Sequence, residues 1–209
     1  RKPVHLVGNN SSSSLAGRRK ISSRPDKVLD AADICDDFYY NLIDWSVRNQ
    51  VAIALRGAVY VWDCESAEVF ALVDLAEESE RVGGGEAALI TSLRWHLDGG
   101  YIIIGTEEGY AQLWDTEQRR RLRTFKPNAE RDAMSSAICA IDWADNVTVT
   151  LGYGSGLVVD HDIRQANSVI RKLQAHSGSA CGIKWRDDGK LLATGGNDNT
   201  VKVWSRDSD

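Results

Sequence analysis

The stretch of residues 27–46, KVLDAADICDDFYYNLIDWS, places carboxylates beside aromatic side chains. Its acids are Asp30, Asp33, Asp36 and Asp37, and the aromatic run Phe38–Tyr40 leads into the strand-like run Leu42–Trp45. Carboxylates bind cationic groups, and aromatic rings supply a large contact area. This combination at the start of a β-rich region predicts a docking element rather than an ordinary loop.

No group of residues has the pattern of a catalytic site. The GxSxG, P-loop and HExxH spacings do not occur, and the four histidines have unrelated surroundings: His5, His96, His161 and His176. Asp36 and Asp37 are adjacent, so their side chains point apart in an extended chain and do not suit paired acid and base work. Glycine-rich turns recur once per repeat, which is typical of hairpins rather than of phosphate cradles. We therefore expect a non-enzymatic protein without a cofactor.

The four cysteines, Cys35, Cys64, Cys139 and Cys181, include no CxxC pair and have no histidine at zinc-ligand spacing. Cys139 and Cys181 each precede a tryptophan by four residues and so occupy equivalent places in a repeat. We expect small buried residues in a reducing compartment, with no disulfide and no metal.

Charge divides the chain into a basic arm and an acidic body. Residues 1–29 hold seven Lys/Arg against one Asp, a net charge of +6, and the total of −5 leaves −11 for residues 30–209. Residues 1–25 are Ser-rich and predict a disordered arm, so we expect the folded domain at 26–209. The acidic body disfavours nucleic acid, and no apolar run of about eighteen residues indicates a membrane span. The chain starts at Arg1, so we expect its true start to lie outside the given sequence.

Tryptophans recur in pairs from Trp45 onward. The pairs are Trp45 with Trp62, Trp95 with Trp114 and Trp185 with Trp204, and in the third repeat Trp143 is paired with His161. The spacing within a pair is 17 to 19 residues, and the first members recur after 50, 48 and 42 residues. Recurrence at this period predicts stacked or radial structural units.

Each repeat has the pattern of four short strands. A first strand ends at the first Trp, and an apolar run suited to burial on both faces follows: 51–55, 101–104, 147–151 and 191–194. The third strands are VYVWD, AQLWD, VVDHD and VKVWS, and weaker fourth strands follow at 69–72, 122–125 and 169–173.

The Trp-Asp ends of two third strands resemble the WD repeat, whose blades pack radially into an all-β propeller. The fourth repeat alone carries the fuller hydrogen-bonding set of that family, His176, Thr194, Asp198 and Trp204. The other repeats have Arg56, Glu108 or Ser155 in place of Asp198, so we expect them to rely more on apolar packing. About four blades of a seven-blade ring are present in this interpretation, and the fragment is open, with a strand near Lys27–Asp30 pairing with a missing blade. A closed four-blade ring completed by that strand is the alternative.

The sequence from about Arg24 to Trp204 resembles the fizzy family, the substrate-recognising WD-repeat activators of the anaphase-promoting complex. The motifs that carry this resemblance are PDKVLDA and DDFYYNLIDWS, then HDIR at 161–164, AHSGSACGIKW, and ATGGNDNTVKVW at 193–204. The family's C-box and Ile-Arg terminus are not found in the given sequence.

The resemblance implies two sites for short degradation signals. Asp37, Asn197 and Asn199 match positions that recognise the KEN box, and Leu29 and Asp30 match the groove for the destruction box. Each residue also has a structural alternative: a turn cap for Asp37, a tight turn for Asn197 and Asn199, and a strand end for Asp30.

The resemblance also implies the partners. These are subunits of the anaphase-promoting complex, degron-bearing substrates such as cyclin-like and securin-like proteins, and checkpoint inhibitors, in the nucleus and cytoplasm. Nucleic acid and membrane are not expected. The alternative function is a general WD-repeat scaffold without degron specificity.

Overall fold

The computed structural model describes residues 22–25, 27–77, 88–126 and 137–206. The chain divides into two units, Arg1–Asp30 and Ala31–Asp209. Most of the predicted basic arm lies outside the described residues. Residues 27–30 form no strand, and Val28 is 84% exposed. The strand expected over Lys27–Asp30 is therefore not formed, since an isolated strand has no partner for its backbone groups.

The four repeats each form one antiparallel sheet in sequence order, as the sequence predicts. The first three sheets have four strands, and the fourth has three among the described residues. The strands are β1 Ile43–Trp45, β2 Gln50–Leu55, β3 Ala58–Asp63, β4 Val69–Asp74, β5 Ile90–Trp95, β6 Tyr101–Thr106, β7 Ala111–Asp115, β8 Arg120–Phe125, β9 Ile138–Trp143, β10 Thr148–Tyr153, β11 Leu157–Asp162, β12 Val169–Gln174, β13 Ala180–Trp185, β14 Leu191–Gly196 and β15 Val201–Ser205. The fourth sheet has no strand from the N-terminal residues, so the closed four-blade alternative is wrong for the described chain.

The register of the strands explains the pairing of the tryptophans. In each sheet one residue of the second strand lies opposite the first aromatic on one side and the second aromatic on the other. In the second sheet, Ile102 is opposite both Trp95 and Trp114. The equivalent central residues are Val51, Val149 and Leu192. The 17 to 19 residues between the paired aromatic residues therefore span two hairpins, after which the chain is again at the same register position of the sheet.

The first strands of successive sheets contact one another, β1 with β5, β5 with β9, and β9 with β13. The sheets are thus blades of a β-propeller fragment with their first strands innermost. One apolar core fills each of the three interfaces between neighbouring blades. Leu93 and Trp95 belong to the first core, Ile141 and Trp143 to the second, and Trp185 to the third.

The position of a blade decides whether its second strand is buried on both faces. β6 and β10 belong to the two middle blades and are buried along almost their whole length. β2 and β14 belong to the end blades, and buried residues alternate with partly buried ones. The prediction of burial on both faces is confirmed for the middle blades. It is wrong for the end blades, because among the described residues one face of each end blade has no neighbour.

Hydrogen bonds also connect polar side chains within a single blade. In the fourth blade His176 contacts Thr194 Oγ1 through Nε2 at 2.9 Å and Asp198 through Nδ1 at 3.0 Å. Trp204 Nε1 donates to the same threonine oxygen at 3.0 Å. The Thr200 hydroxyl, which donates to Asp198, is the main cause of a pKa of that carboxyl well below its usual value.

The third blade has a polar network that sequence reasoning missed. Thr150 Oγ1 donates to Asp160 Oδ1 at 2.6 Å and accepts from Trp185 Nε1, in the next blade, at 2.8 Å. Arg171 contributes an ion pair to Asp160 at 2.8 Å. The blades other than the fourth were expected to rely more on apolar packing, and the third blade has this polar network in addition to its apolar core.

Candidate functional site

Residues 36–41, here called the crossing segment, connect the start of the second unit to β1. Asp37 organises its turn: Oδ1 accepts from Tyr39 N at 2.9 Å, and the Asp37 carbonyl accepts from Tyr40 N at 3.2 Å. The side chains of Asp36, Asp37 and Phe38 are exposed, with Phe38 at 94%. Asp37 therefore caps a turn, its predicted structural alternative, while its side chain stays at the surface.

Asn41 attaches the crossing segment to the second and third blades. Its backbone N donates to Thr91 O at 3.1 Å, and its carbonyl accepts from Leu93 N at 2.9 Å. Its side-chain amide donates to Cys139 O in β9 at 2.7 Å. The segment thus runs across the beginning of the inner strands, at one end of the propeller.

Tyr39 connects the crossing segment to the fourth blade. Its hydroxyl donates to Asn197 Oδ1 at 3.0 Å, across 158 residues of sequence. Asn197 begins the β14–β15 turn, and its backbone N donates to Ser179 O at 2.9 Å. With its Oδ1 accepting from Tyr39, the side-chain amide of Asn197 keeps its two N–H donors for other partners.

Asn199 lies in the same turn with a φ of 61°, a left-handed conformation that asparagine tolerates better than most residues. Its backbone N donates to Gly196 O at 3.1 Å, and its side chain is exposed. The tight-turn role predicted as the alternative is therefore present, and it leaves the side chain at the surface.

Cys139 and Cys181, the two cysteines at equivalent repeat positions, lie close enough to Asp37 for its charge to act on both thiols. Burial raises the pKa of the Cys139 thiol to about 11, with nearby Cys181 and Asp37 adding to the rise. Burial is also the main cause of a raised pKa for Cys181. Both thiols therefore stay protonated at neutral pH, and they are free cysteines.

The geometry provides a surface that suits a short peptide. It combines the exposed Asp37 carboxylate with the amide groups of Asn197 and Asn199 and the exposed Phe38 ring. A carboxylate binds a lysine side chain, and amide N–H groups bind a carboxylate. No group of three His, Cys, Asp or Glu within the described ranges is placed to hold a metal ion. No helix in the described part of the chain has the length and hydropathy of a membrane span.

The destruction-box candidates lie in the other unit. Leu29 is 50% exposed and Asp30 is exposed. They belong to Arg1–Asp30, whereas Asp37, Asn197 and Asn199 belong to Ala31–Asp209. Their assignment depends on the resemblance in sequence alone.

Tyr39 is the residue that sequence reasoning missed. The aromatic run Phe38–Tyr40 predicts docking in general terms, but nothing in it distinguishes Tyr39 from its neighbours. Its partner lies in a blade whose position depends on the whole fold.

The fold and the sequence comparisons place the chain among the WD-repeat propellers. Residues 167–205 match the family model for the WD domain, G-beta repeat. Residues 49–146 match the model for the WD40 domain of anaphase-promoting complex subunit 4.

Its relatives narrow the class further. An Arabidopsis thaliana protein named cell division cycle 20.1, cofactor of APC complex, is 36% identical over 98% of this chain and 43% of its own length. The fission yeast WD repeat-containing protein slp1 is 38% identical over 90% of this chain and 35% of its own length. In the crystal structure of the mitotic checkpoint complex, one chain superposes with a TM-score of 0.79 and 36% identity, over 90% of this chain and 55% of that chain.

The chain belongs to the fizzy family of Cdc20 and Fizzy-related WD-repeat proteins. Its homologues in this family match it over most of the chain's own length. It spans less than half the length of these two curated relatives.

Proposed function

We propose that this chain recognises short degradation signals as the substrate-binding part of an activator of the anaphase-promoting complex. The surface formed by Asp37, Asn197 and Asn199 would bind a KEN box. The observation that carries this proposal is the Tyr39–Asn197 hydrogen bond, because it joins the crossing segment to the β14–β15 turn. The names of the homologues support the ligase as the setting.

The chemistry of the surface fits a Lys-Glu-Asn peptide. The peptide's lysine is assigned to the Asp37 carboxylate, and its glutamate and asparagine to the N–H groups of Asn197 and Asn199. Charge-assisted hydrogen bonds are about twice as strong as neutral ones, so Asp37 is expected to supply the largest single contribution.

A second degron is assigned to Leu29 and Asp30. In this proposal Leu29 lies under the leucine of a destruction box, and Asp30 binds its arginine. The remaining partners follow from the same role: ligase subunits, cyclin-like and securin-like substrates, and checkpoint inhibitors, with nucleus and cytoplasm as the sites of action. The protein acts by bringing substrate to a ligase and performs no catalysis itself.

The test is the affinity of a fluorescent KEN peptide for the protein, measured by fluorescence anisotropy. Asp37→Asn should weaken binding about tenfold or more, since a hydrogen bond to a charged group contributes about 1.5–3 kcal/mol. Asn197→Ala should weaken it similarly. Asp187→Asn, at an exposed position between β13 and β14, is the matched control and should bind like the parent protein.

Tyr39→Phe distinguishes positioning from contact. It removes only the hydroxyl that holds Asn197, so binding should weaken roughly threefold to tenfold, the equivalent of one neutral hydrogen bond. A peptide that binds all variants equally would reject the site, and a folded protein that binds no KEN peptide would favour the general scaffold.

A further inference from the structure

Asn41 makes three hydrogen bonds at the end of the crossing segment, and these bonds reach two different blades. Its backbone N and carbonyl pair with Thr91 and Leu93, which both lie in β5 of the second blade. Its side-chain Nδ2 donates to Cys139 O in β9, 98 residues away, at 2.7 Å. Of the three bonds, the one from the side-chain amide is therefore the one that reaches the third blade.

The carbonyl that accepts from Asn41 belongs to a part of the third blade that is hydrogen-bonded to the second. Ser92 Oγ donates to Ile138 O at 2.5 Å, and Thr91 Oγ1 donates to the same oxygen at 2.8 Å. Thr91, Ser92 and Ile138 are all 0% exposed, so these hydrogen bonds lie in a low-dielectric interior, where they are stronger than in water. Cys139 O, one residue further along β9, is consequently a fixed acceptor for Asn41.

A short turn connects Asn41 to the Asp37 carboxylate. Asp37 closes this turn by accepting from Tyr39 N and Tyr40 N, and the chain then continues directly into Asn41. The Tyr39 hydroxyl donates to Asn197 Oδ1 in the fourth blade. The turn is thus held at the third blade by the Asn41 side chain and at the fourth blade by Tyr39.

The backbone bonds of Asn41 cannot replace its side-chain bond. They fix the crossing segment against the second blade, whereas Asn197 and Asn199 lie in the β14–β15 turn of the fourth. The third blade lies between these two, because its inner strand contacts the inner strands of both. A contact with the third blade therefore sets how far the turn extends toward the fourth.

We propose that Asn41 is a positioning residue of the peptide site, whose side-chain amide sets the distance from Asp37 to Asn197 and Asn199. This inference rests on the proposed function, since it concerns the affinity of the same site. The position requires a hydrogen-bond donor, because Cys139 O can only accept. A carboxylate of the same shape has no N–H group and would place two acceptors against each other.

The test compares variants of Asn41 with the parent protein in the anisotropy assay with a fluorescent KEN peptide. Asn41→Asp keeps the shape of the side chain and the backbone hydrogen bonds but loses the donor to Cys139 O. The affinity should fall roughly threefold to tenfold, the equivalent of one neutral hydrogen bond. Asn41→Ala removes the amide without adding a charge and should show the same loss, so it serves as the test if the new charge prevents folding.

The matched control is Asn167→Asp, at an exposed position between β11 and β12. It adds the same charge to the protein and should bind the peptide like the parent. All variants are compared as folded proteins, with circular dichroism spectra like that of the parent. A loss of affinity in the control as large as that of Asn41→Asp would overturn the proposal, because the added charge alone would explain both.

A double-mutant cycle with Tyr39→Phe distinguishes positioning from a contribution to the fold alone. If both residues hold the same turn, the loss of either bond frees it. The loss of affinity in the double variant should then be smaller than the product of the two single losses, by about threefold. A double loss equal to the product would overturn the proposal, because Asn41 would act independently of the turn. A purely structural role predicts lower urea midpoints with unchanged peptide affinity.

The same assay separates the failure of this inference from the failure of the proposed function. A parent protein that binds no KEN peptide would reject both. A parent that binds the peptide, with Asn41→Asp and Asn41→Ala binding it equally well, would reject the role of Asn41 and leave the KEN site in place.

Discussion

His161 occupies the position of the third-strand tryptophan in the third blade and is 3% exposed. Its Nδ1 contacts Ser168 Oγ at 2.9 Å, and its ring packs edge-on against Phe125. Burial, followed by the positive charges of Arg123 and Lys172, lowers the pKa of His161 from 6.5 to about 4. The folded chain therefore holds this imidazole neutral under conditions where an unfolded chain protonates it.

The stability of the fold should consequently fall as the pH is lowered. Between pH 6.5 and about 4 the unfolded state binds a proton at His161 that the folded state does not bind, so acid favours unfolding. The stability that comes from keeping His161 neutral is fully present above pH 6.5. From about pH 7.5 to about pH 4.5 the free energy of unfolding should decrease by about 2.5 kcal/mol through this residue.

The assay is urea unfolding followed by tryptophan fluorescence at several pH values. His161→Gln has no titrating ring, and its amide can still contact Ser168, so it changes the pH dependence more than the packing. The variant should lose about 2.5 kcal/mol less than the parent over this range. Parallel curves for parent and variant would refute the reasoning, because other titrating groups are the same in both.

Two further predictions concern the stability of the fold, one through packing and one through a buried hydrogen bond. Gly196→Ala should destabilise the fold by about 1–3 kcal/mol, because the added Cβ would lie 2.3 Å from His176 Cγ. Gly195→Ala is the control, since its added Cβ meets nothing within 4 Å and should be tolerated. Equal urea midpoints for the two variants would contradict this prediction. Thr150→Val keeps the shape of the side chain but removes the acceptor of Trp185 Nε1, so the free energy of unfolding in urea should fall by about 1–3 kcal/mol. Thr124→Val, at an exposed position in β8, is the control. A decrease for Thr150→Val no larger than that of the control would exclude the hydroxyl as the cause.

Most of the fold follows from local patterns in the sequence. The paired tryptophans and the apolar runs predict the strands of all four blades, and the structure confirms them. This success has a physical basis: consecutive strands pair as hairpins, and side chains alternate between the two faces, so a short stretch contains both the strand and its register. Asp37 and Asn197 were predicted as site residues from the family resemblance, which compares motifs and needs no knowledge of the distance between the two side chains.

The contacts between blades could be determined only by the tertiary structure. Tyr39 meets Asn197 across 158 residues, and Asp44 accepts from Trp95 N across 51. These contacts depend on how each blade is rotated and spaced against the next, and the pattern within one blade does not encode that rotation. The same cause explains why equivalent tryptophans differ, with Trp45 exposed and Trp95 buried. The repeats specify the blades, and the packing of blade against blade decides which side chains form the surface for a partner.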